Sequence, residues 1–350
     1  MKNEIKEHSA LIAGRKIPLR YDPTKPLQVG GQAVIEGVMM RAPGRIATAV
    51  RRANGEIQVR TRQYISLAEK YPLFKLPILR GAVGLLEMMF VGIETLNFSA
   101  EAAMEDVRAA KDGGDKEPVA VKDKSASNFK LALIVIFSLT VGIGIFFIMP
   151  LLVTTRLFNV EQNAFGFNLI AGGIRLGVLV LYLIAISLMK DVKRLFEYHG
   201  AEHKAVFTFE AGGELSAASS AGYTRFHPRC GTSFILIVML TAMILFSILD
   251  SLMILWLGKI SLSVRLMTHL PLIPLVGGVA YEFIRWSAQR STTAVGKILV
   301  APGLWLQHIT TQEPDASQLE VALVAIRCAL GVESEDIPFR HITQTSEVVA

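Results

Sequence analysis

The 350-residue chain is 51% hydrophobic and only 19% charged, with a mean hydropathy of +0.43. That balance excludes an ordinary soluble two-domain protein and points to a membrane protein. A net charge of +6 and a pI near 9.3 raise nucleic acid as a partner, but the basic residues cluster beside apolar runs, not in an aromatic-studded groove, so no nucleic-acid binding is expected.

Residues 1–28 are polar and Pro-containing and read as a flexible arm. Residues 29–75 read as a small β-rich unit, with "AVIEGVMMR" as one short strand and "RIATAVRR" and "IQVRTRQYI" as a hairpin around Asn54-Gly55. In "GGQAVIEGVMMRAPGR", Glu36 lies among apolar residues. It is expected either to pair with Arg41 at a strand end or to reach a metal as ligand or base, because a carboxylate in such a setting is costly unless paired or metal-bound. Residues 76–107 have helical period, and Glu87 and Glu94 share a face, which suits an interfacial or packed helix; a fifth membrane span is the alternative. The charged, Gly- and Pro-bearing stretch 108–128 reads as a disordered linker.

Four apolar stretches then follow in two hairpins, 129–189 and 234–286. "LALIVIFSLTVGIGIFFIMPLLV" (131–153) carries no charge over more than the ~20 residues needed to span hydrocarbon. "FNLIAGGIRLGVLVLYLIAISLM" (167–189) carries only Arg175, and "FILIVMLTAMILFSILDSLMILWL" (234–257) only Asp250. The fourth, 262–284, holds Pro271, Pro274, Arg265, His269 and Glu282 and reads as a kinked span or a re-entrant segment. Counting ~1.5 Å per residue from the outer ends puts Arg175 and Asp250 at one depth, where they should pair, with His269 at the same level. A structural clasp is favoured there over an ion path.

The first apolar run begins far from the N-terminus, so no cleavable secretory signal is expected. Lys190, Lys193, Arg194, Lys204, Arg225 and Arg229 lie between the second and third runs, against Arg156 and Glu161 between the first and second. Such a bias places the segment 190–233 and both termini on the cytoplasmic side of an inner membrane. Cys230 and Cys328 then fall in a reducing compartment, where no disulfide is expected.

The chemistry concentrates in "EYHGAEHKAVF" (197–207) and "FHPRCGTSF" (226–234). His199 and His203 stand one helical turn apart and leave the same face, as two ligands of one ion would. His227 and Cys230, separated by a turn through Pro228, can aim an imidazole and a thiolate at the same point. Three histidines and one cysteine suit a divalent ion, zinc first. The order H-x-x-E-H also matches the inverted zincin pattern, with Glu202 as the base that activates water, although nothing else in the chain supports membership of those soluble peptidases. If all four groups bind, the ion is a structural staple; if three bind, a position stays open for chemistry, with Glu202 or Glu36 as base. Glu282, near the cytoplasmic end of its segment, is a reserve ligand. The residues 287–350 form a cytoplasmic tail with a Trp-anchored turn and an amphipathic helix over 315–330, capped by Asp315 or Ser317.

With "GGQAVIEGVMMRAPGR", "PILRGAVGLLEMMFVGIETLNFSAE", "YHGAEHKAV", "HPRCGTSF" and "PGLWLQHITTQEPDASQLEVAL", the chain resembles the YqhQ family of bacterial membrane proteins from about residue 28 to 330. The resemblance implies a domain of unknown function, labelled as a predicted metal-dependent enzyme, and its metal label falls on the same His199, His203, His227 and Cys230. The expectation is an α-helical polytopic membrane protein of about four spans with a small cytoplasmic β-rich unit. Its function reads as metal-assisted hydrolysis of a lipid-linked or membrane-protein substrate at the cytoplasmic face. The alternatives are a metal-stapled scaffold or assembly factor and a transporter component, which would need more than four spans unless the protein forms a homo-oligomer.

Overall fold

The computed structural model describes residues 9–12, 15–18, 29–111, 124–288, 293–332 and 337–342. Strands β1 (Ser9–Ile12) and β2 (Arg15–Pro18) pair antiparallel within the segment expected to be a flexible arm. Residues 112–123, most of the expected linker, lie outside the described residues.

Strands β3 (Gly30–Val34), β4 (Gly37–Ala42), β5 (Gly44–Arg51) and β6 (Ile57–Tyr64) form an antiparallel meander, and β7 (Phe339–His341) adds parallel to β6. The β5–β6 turn falls where Asn54-Gly55 predicts it, with Gly55 at φ 87°. Two features differ from the sequence reading. "AVIEGVMMR" is a hairpin and not one strand: the chain reverses at Ile35 and Glu36, and Glu36 takes the left-handed φ of 52°. The fifth strand arrives from the C-terminal segment, nearly three hundred residues away, which no local pattern announces.

The helices are α1 (Leu67–Lys70), α2 (Leu79–Lys111), α3 (Lys124–Ile143), α4 (Met149–Leu157), α5 (Ala164–Ser187), α6 (Lys190–Glu210), α7 (Ala217–Ala221), α8 (Gly231–Leu257), α9 (Leu262–His269), α10 (Ile273–Ala288), α11 (Ala294–Thr310) and α12 (Ala316–Leu330). Alternation along the strands gives the sheet two apolar faces. Val38, Met40, Ala47, Ala49 and Val59 pack with Tyr198, Ala201 and Ala205 of α6 and with the body of α12. Val34, Met39, Ile46 and Val50 pack with Val91, Phe98 and Ala102 of α2. The sheet is therefore the middle of three layers; one covering, α2, precedes the apolar helices, and the other joins α6 from among them to α12 from after them.

Glu87 and Glu94 of α2 are both partnered: Glu94 pairs with Arg62 at 3.0 Å, and the Glu87 carboxylate accepts the N–H of Leu67. α12 is capped as expected, with Asp315 and Gln318 bonded reciprocally to each other's backbone. It is not amphipathic, however; every residue from Val321 to Ala329 is buried, the condition of a helix enclosed on all sides. The expected Trp-anchored turn is helix α11, with Pro302 inside it.

Among the described residues, three helical stretches are long and apolar enough to cross a membrane, Leu133–Leu157, Ala164–Ser187 and Phe234–Leu257, and a fourth could be made by α9 and α10, bent by 59° at Pro271. The first stretch passes through a π-helical turn at Gly144–Ile148. Pro150 has no N–H to give the Phe146 carbonyl one turn back, and Arg175 Nε donates to that carbonyl instead at 2.8 Å.

The expected pair of Arg175 and Asp250 is thus not formed. Asp250 instead accepts from Arg265 Nε at 2.9 Å, His269 Nε2 at 2.9 Å and Asn168 Nδ2 at 2.8 Å. The reason is helix register. α5 starts at Ala164, capped by Asn163, about one turn before the apolar run suggests, so Asn168 meets the level of Asp250 and Arg175 lies two turns deeper. His269 joins Asp250 as expected. The Phe167 ring lies 3.6 Å from the Arg265 guanidinium, and the Phe246 ring stacks on His269 at 4.0 Å.

Candidate metal centre

α6 carries the site. His199 and His203 leave one face of it with ring centroids 4.5 Å apart, as the four-residue spacing dictates. His199 Nδ1 donates to the Thr310 carbonyl at 2.8 Å and His203 Nδ1 donates to the Arg225 carbonyl. Each of these bonds fixes the tautomer, leaving Nε2 as a lone pair, which is the arrangement that orients a metal-binding imidazole. Gly200 makes the first bond possible. A Cβ there would stand 2.1 Å from the Gln312 carbonyl oxygen, so only glycine lets the segment leaving α11 cross α6 closely enough to present Thr310.

The turn "HPRC" delivers Cys230 as the N-cap of α8, with its Sγ accepting the Thr232 N–H at 3.5 Å and lying 3.2 Å from His199 Nε2. His199, His203 and Cys230 offer one donor atom each, all within 4.8 Å of one another. Donors of a tetrahedral zinc ion with bonds of 2.0–2.3 Å lie roughly 3.5 Å apart, so the set fits a divalent ion with little movement.

His227 does not join the convergent set. Gln307 holds its backbone from both sides, accepting its N–H at 2.7 Å and donating to its carbonyl at 2.8 Å. Its ring packs against Phe207, and Nε2 faces Glu210 at 3.5 Å. Three donors converge where the sequence offered four.

Glu202 is buried beside the donors. Its Oε1 accepts the Gly31 N–H at 2.8 Å, and its Oε2 stands 3.5 Å from His203 Nε2. Desolvation pushes this carboxyl above the usual glutamate range, opposed by His199, His227 and the Gly31 bond. Desolvation also lowers His199, His203 and His227, which keeps the rings neutral and able to act as ligands. The 3.5 Å approach of Glu202 to His203 is accordingly not an ion pair. In the metal-free protein three rings whose proton affinity is depressed on folding oppose one carboxyl whose affinity is raised. The rings contribute stability that is fully present above the ordinary histidine value of 6.5 and is lost as pH falls below it, whereas Glu202 contributes stability that is present at low pH and is lost as pH rises through its raised value. With Glu202→Gln removing the opposing carboxyl, thermal denaturation in chelator should show a lower midpoint at about pH 5.5 than at about pH 7.5.

The other predicted residues lie elsewhere. Both Glu36 oxygens are taken by Arg194, with Tyr198 Oη at 3.3 Å, so the carboxylate is neither an Arg41 partner nor a member of the cluster; the hairpin turn aims it at the start of α6. Arg41 lies over the Tyr64 ring, 4.6 Å away, with Nη1 on the Met88 sulfur. Glu282 is clasped by Arg80 and the Ile78 N–H, tying α10 to the start of α2 and leaving it no role as reserve ligand. Sequence reasoning missed Gly31, although "GGQ" was visible. A Cβ there would meet the Met39 carbonyl oxygen at 2.1 Å, so the strand that supports Glu202 requires a glycine.

A family model described as "Protein of unknown function (DUF1385)" matches residues 76–332, which include α6, Cys230 and α12. The chain is 30% identical over 321 residues to a Bacillus subtilis (strain 168) protein described as "Uncharacterized protein YqhQ", covering 88% of this chain and 94% of that one. No solved structure matches the chain.

Proposed function

The chain belongs to the DUF1385 family, and within it we propose a metal-dependent hydrolase at the cytoplasmic face of the inner membrane. In this reading His199, His203 and Cys230 hold a divalent ion, zinc by the character of its donors, and Glu202 is the proton acceptor. The observation that carries it is the incomplete shell: three donors converge, the fourth candidate is turned toward Glu210, and a buried carboxylate stands alongside. An ion in that set would supply Lewis acidity toward a carbonyl and toward water. Glu202, held at Oε1 by Gly31, would use Oε2 to take a proton from the attacking water and return it to the leaving group. Burial raises the proton affinity of its carboxyl, which favours taking up that proton.

The substrate is proposed to be membrane-borne, because Cys230 caps a helix whose apolar stretch begins at Phe234. The cytoplasmic side follows from the Lys and Arg residues between α5 and α8. The Asp250 group is read as a clasp and not a transport path, since Asp250, Arg265 and His269 are fully enclosed and bonded to one another.

A scaffold needs a closed shell of four ligands, and metal content separates it from the enzyme. Detergent-purified wild type and His227→Ala should hold near-stoichiometric zinc, while His203→Ala and Cys230→Ser lose it. X-ray absorption should find one sulfur, two imidazoles and a further light ligand. A shell of one sulfur and three imidazoles that empties in His227→Ala would replace the enzyme with a stapled scaffold.

A further inference from the structure

We propose that the free edge of β3 docks an extended polypeptide segment, and that such a segment is the substrate class of the centre; the inference rests on the hydrolase reading. Among the described residues β3 is the outermost strand of the sheet, with β4 on one side and no strand on the other. Its register with β4 closes on Val34 and Gly37 across the two-residue turn. In an antiparallel pair the backbone groups alternate, so Val34, Gln32 and Gly30 face β4, while Ala33 and Gly31 turn their N–H and C=O outward. The Gly31 N–H reaching Glu202, off the sheet, is that outward orientation seen directly. Farther along, the Ile35 N–H is taken by Ser99 Oγ at 3.2 Å. Between these two anchors, the Gly31 carbonyl and the Ala33 N–H and carbonyl have no partner among the described residues.

This gap is a strand-sized template next to the proposed base. Ala33 lies two residues, roughly 7 Å, from the Glu202 contact. Gly31 is exposed, Gly30 has open space where a side chain would be, and Gln32 is fixed by its bond to Thr95 of α2, so the edge is firm and bare. Exposed edges are normally blunted by charge, proline or a bulge. The opposite edge of this sheet, β7, carries Arg340 and His341, whereas β3 reads Gly-Gly-Gln-Ala-Val. A repeating donor–acceptor edge of this kind recognises an extended main chain, which offers the complementary repeat; a headgroup or sugar does not. The reaction is then amide hydrolysis. The C–N bond breaks, the water oxygen joins the acyl carbon, and the proton taken by Glu202 goes to the departing amine, with water as the sole co-reactant.

The test uses the full-length, zinc-loaded chain in detergent with two probes, dye-labelled unfolded casein and p-nitrophenyl acetate, the latter too small to lie along β3. Ala33→Pro removes the outward N–H at an edge position where proline is tolerated. It should cut casein cleavage by about tenfold, as loss of one hydrogen bond predicts, and leave ester turnover and zinc content unchanged. In the wild type, a six-residue extended peptide should inhibit casein cleavage, and the same peptide with alternate amides N-methylated should not; this holds even if the proline variant fails to fold. Equal inhibition by the two peptides, or full casein cleavage by a zinc-loaded Ala33→Pro, overturns the docking edge. Ester turnover without casein cleavage overturns the substrate class and leaves the hydrolase standing. A zinc-loaded wild type that turns over neither probe sinks the hydrolase reading itself.

Discussion

Glu202→Gln is expected to keep its zinc and to lose about 10²–10⁴-fold in turnover of p-nitrophenyl acetate. Glutamine has nearly the same volume, and its side-chain oxygen can still accept the Gly31 N–H, so the strand and the three donors stay where they are. What it lacks is a carboxyl that can take up and release a proton. Glu202→Ala is the poorer experiment, because it also frees Gly31 and opens a void in a buried site. A glutamine variant within threefold of the wild-type rate, with zinc retained, would remove Glu202 from the reaction and return the centre to a structural role.

The second large effect lies at the far end of the apolar helices. Asp250→Leu is expected to destabilise the protein by about 3–5 kcal/mol, since it leaves the buried Arg265 guanidinium without its counter-charge. His269 loses its acceptor in the same step, and Asn168 loses one of its two. Denaturant unfolding in detergent reads the loss, and zinc content per folded molecule should not change, because no residue of the metal set touches this cluster. Asp250→Asn keeps an acceptor oxygen and should cost less than Asp250→Leu. A leucine variant as stable as the wild type would show that the clasp holds nothing together.

Much of this architecture is legible in residue order because the governing physics is local. Helix spacing alone brings His199 and His203 together, the uncharged run at 131–153 marks an apolar helix, and Asn54-Gly55 marks a reversal. What was missed depends on partners distant in the chain. The choice of Arg265 over Arg175 for Asp250 turned on where α5 begins, a matter of one helical turn set by the Asn163 cap. The loss of His227 from the donor set turned on Gln307, eighty residues on, holding its backbone. Glu36 looked like a strand residue because "VIEGVMM" has no obvious turn signal, yet the chain reverses there at a left-handed glutamate. α12 looked amphipathic because its one arginine and flanking polar residues suggested a wet face. Arg327 instead spends its charge on the Leu215 carbonyl inside the core.

The sheet unit is stitched together from chain segments made at different times. β3–β6 precede the apolar helices, α6 lies between the second and third, and α12 and β7 follow the last. The donor set has the same history: its residues come from α6 and the start of α8, and the carbonyl that sets His199 comes from the end of α11. No proper fragment ending before about residue 310 can therefore hold the His199 ring in place, and none ending before residue 330 can close the core beneath it. The donor set is therefore positioned only after every apolar helix has been made, and a product truncated before about residue 310 lacks the carbonyl that orients His199.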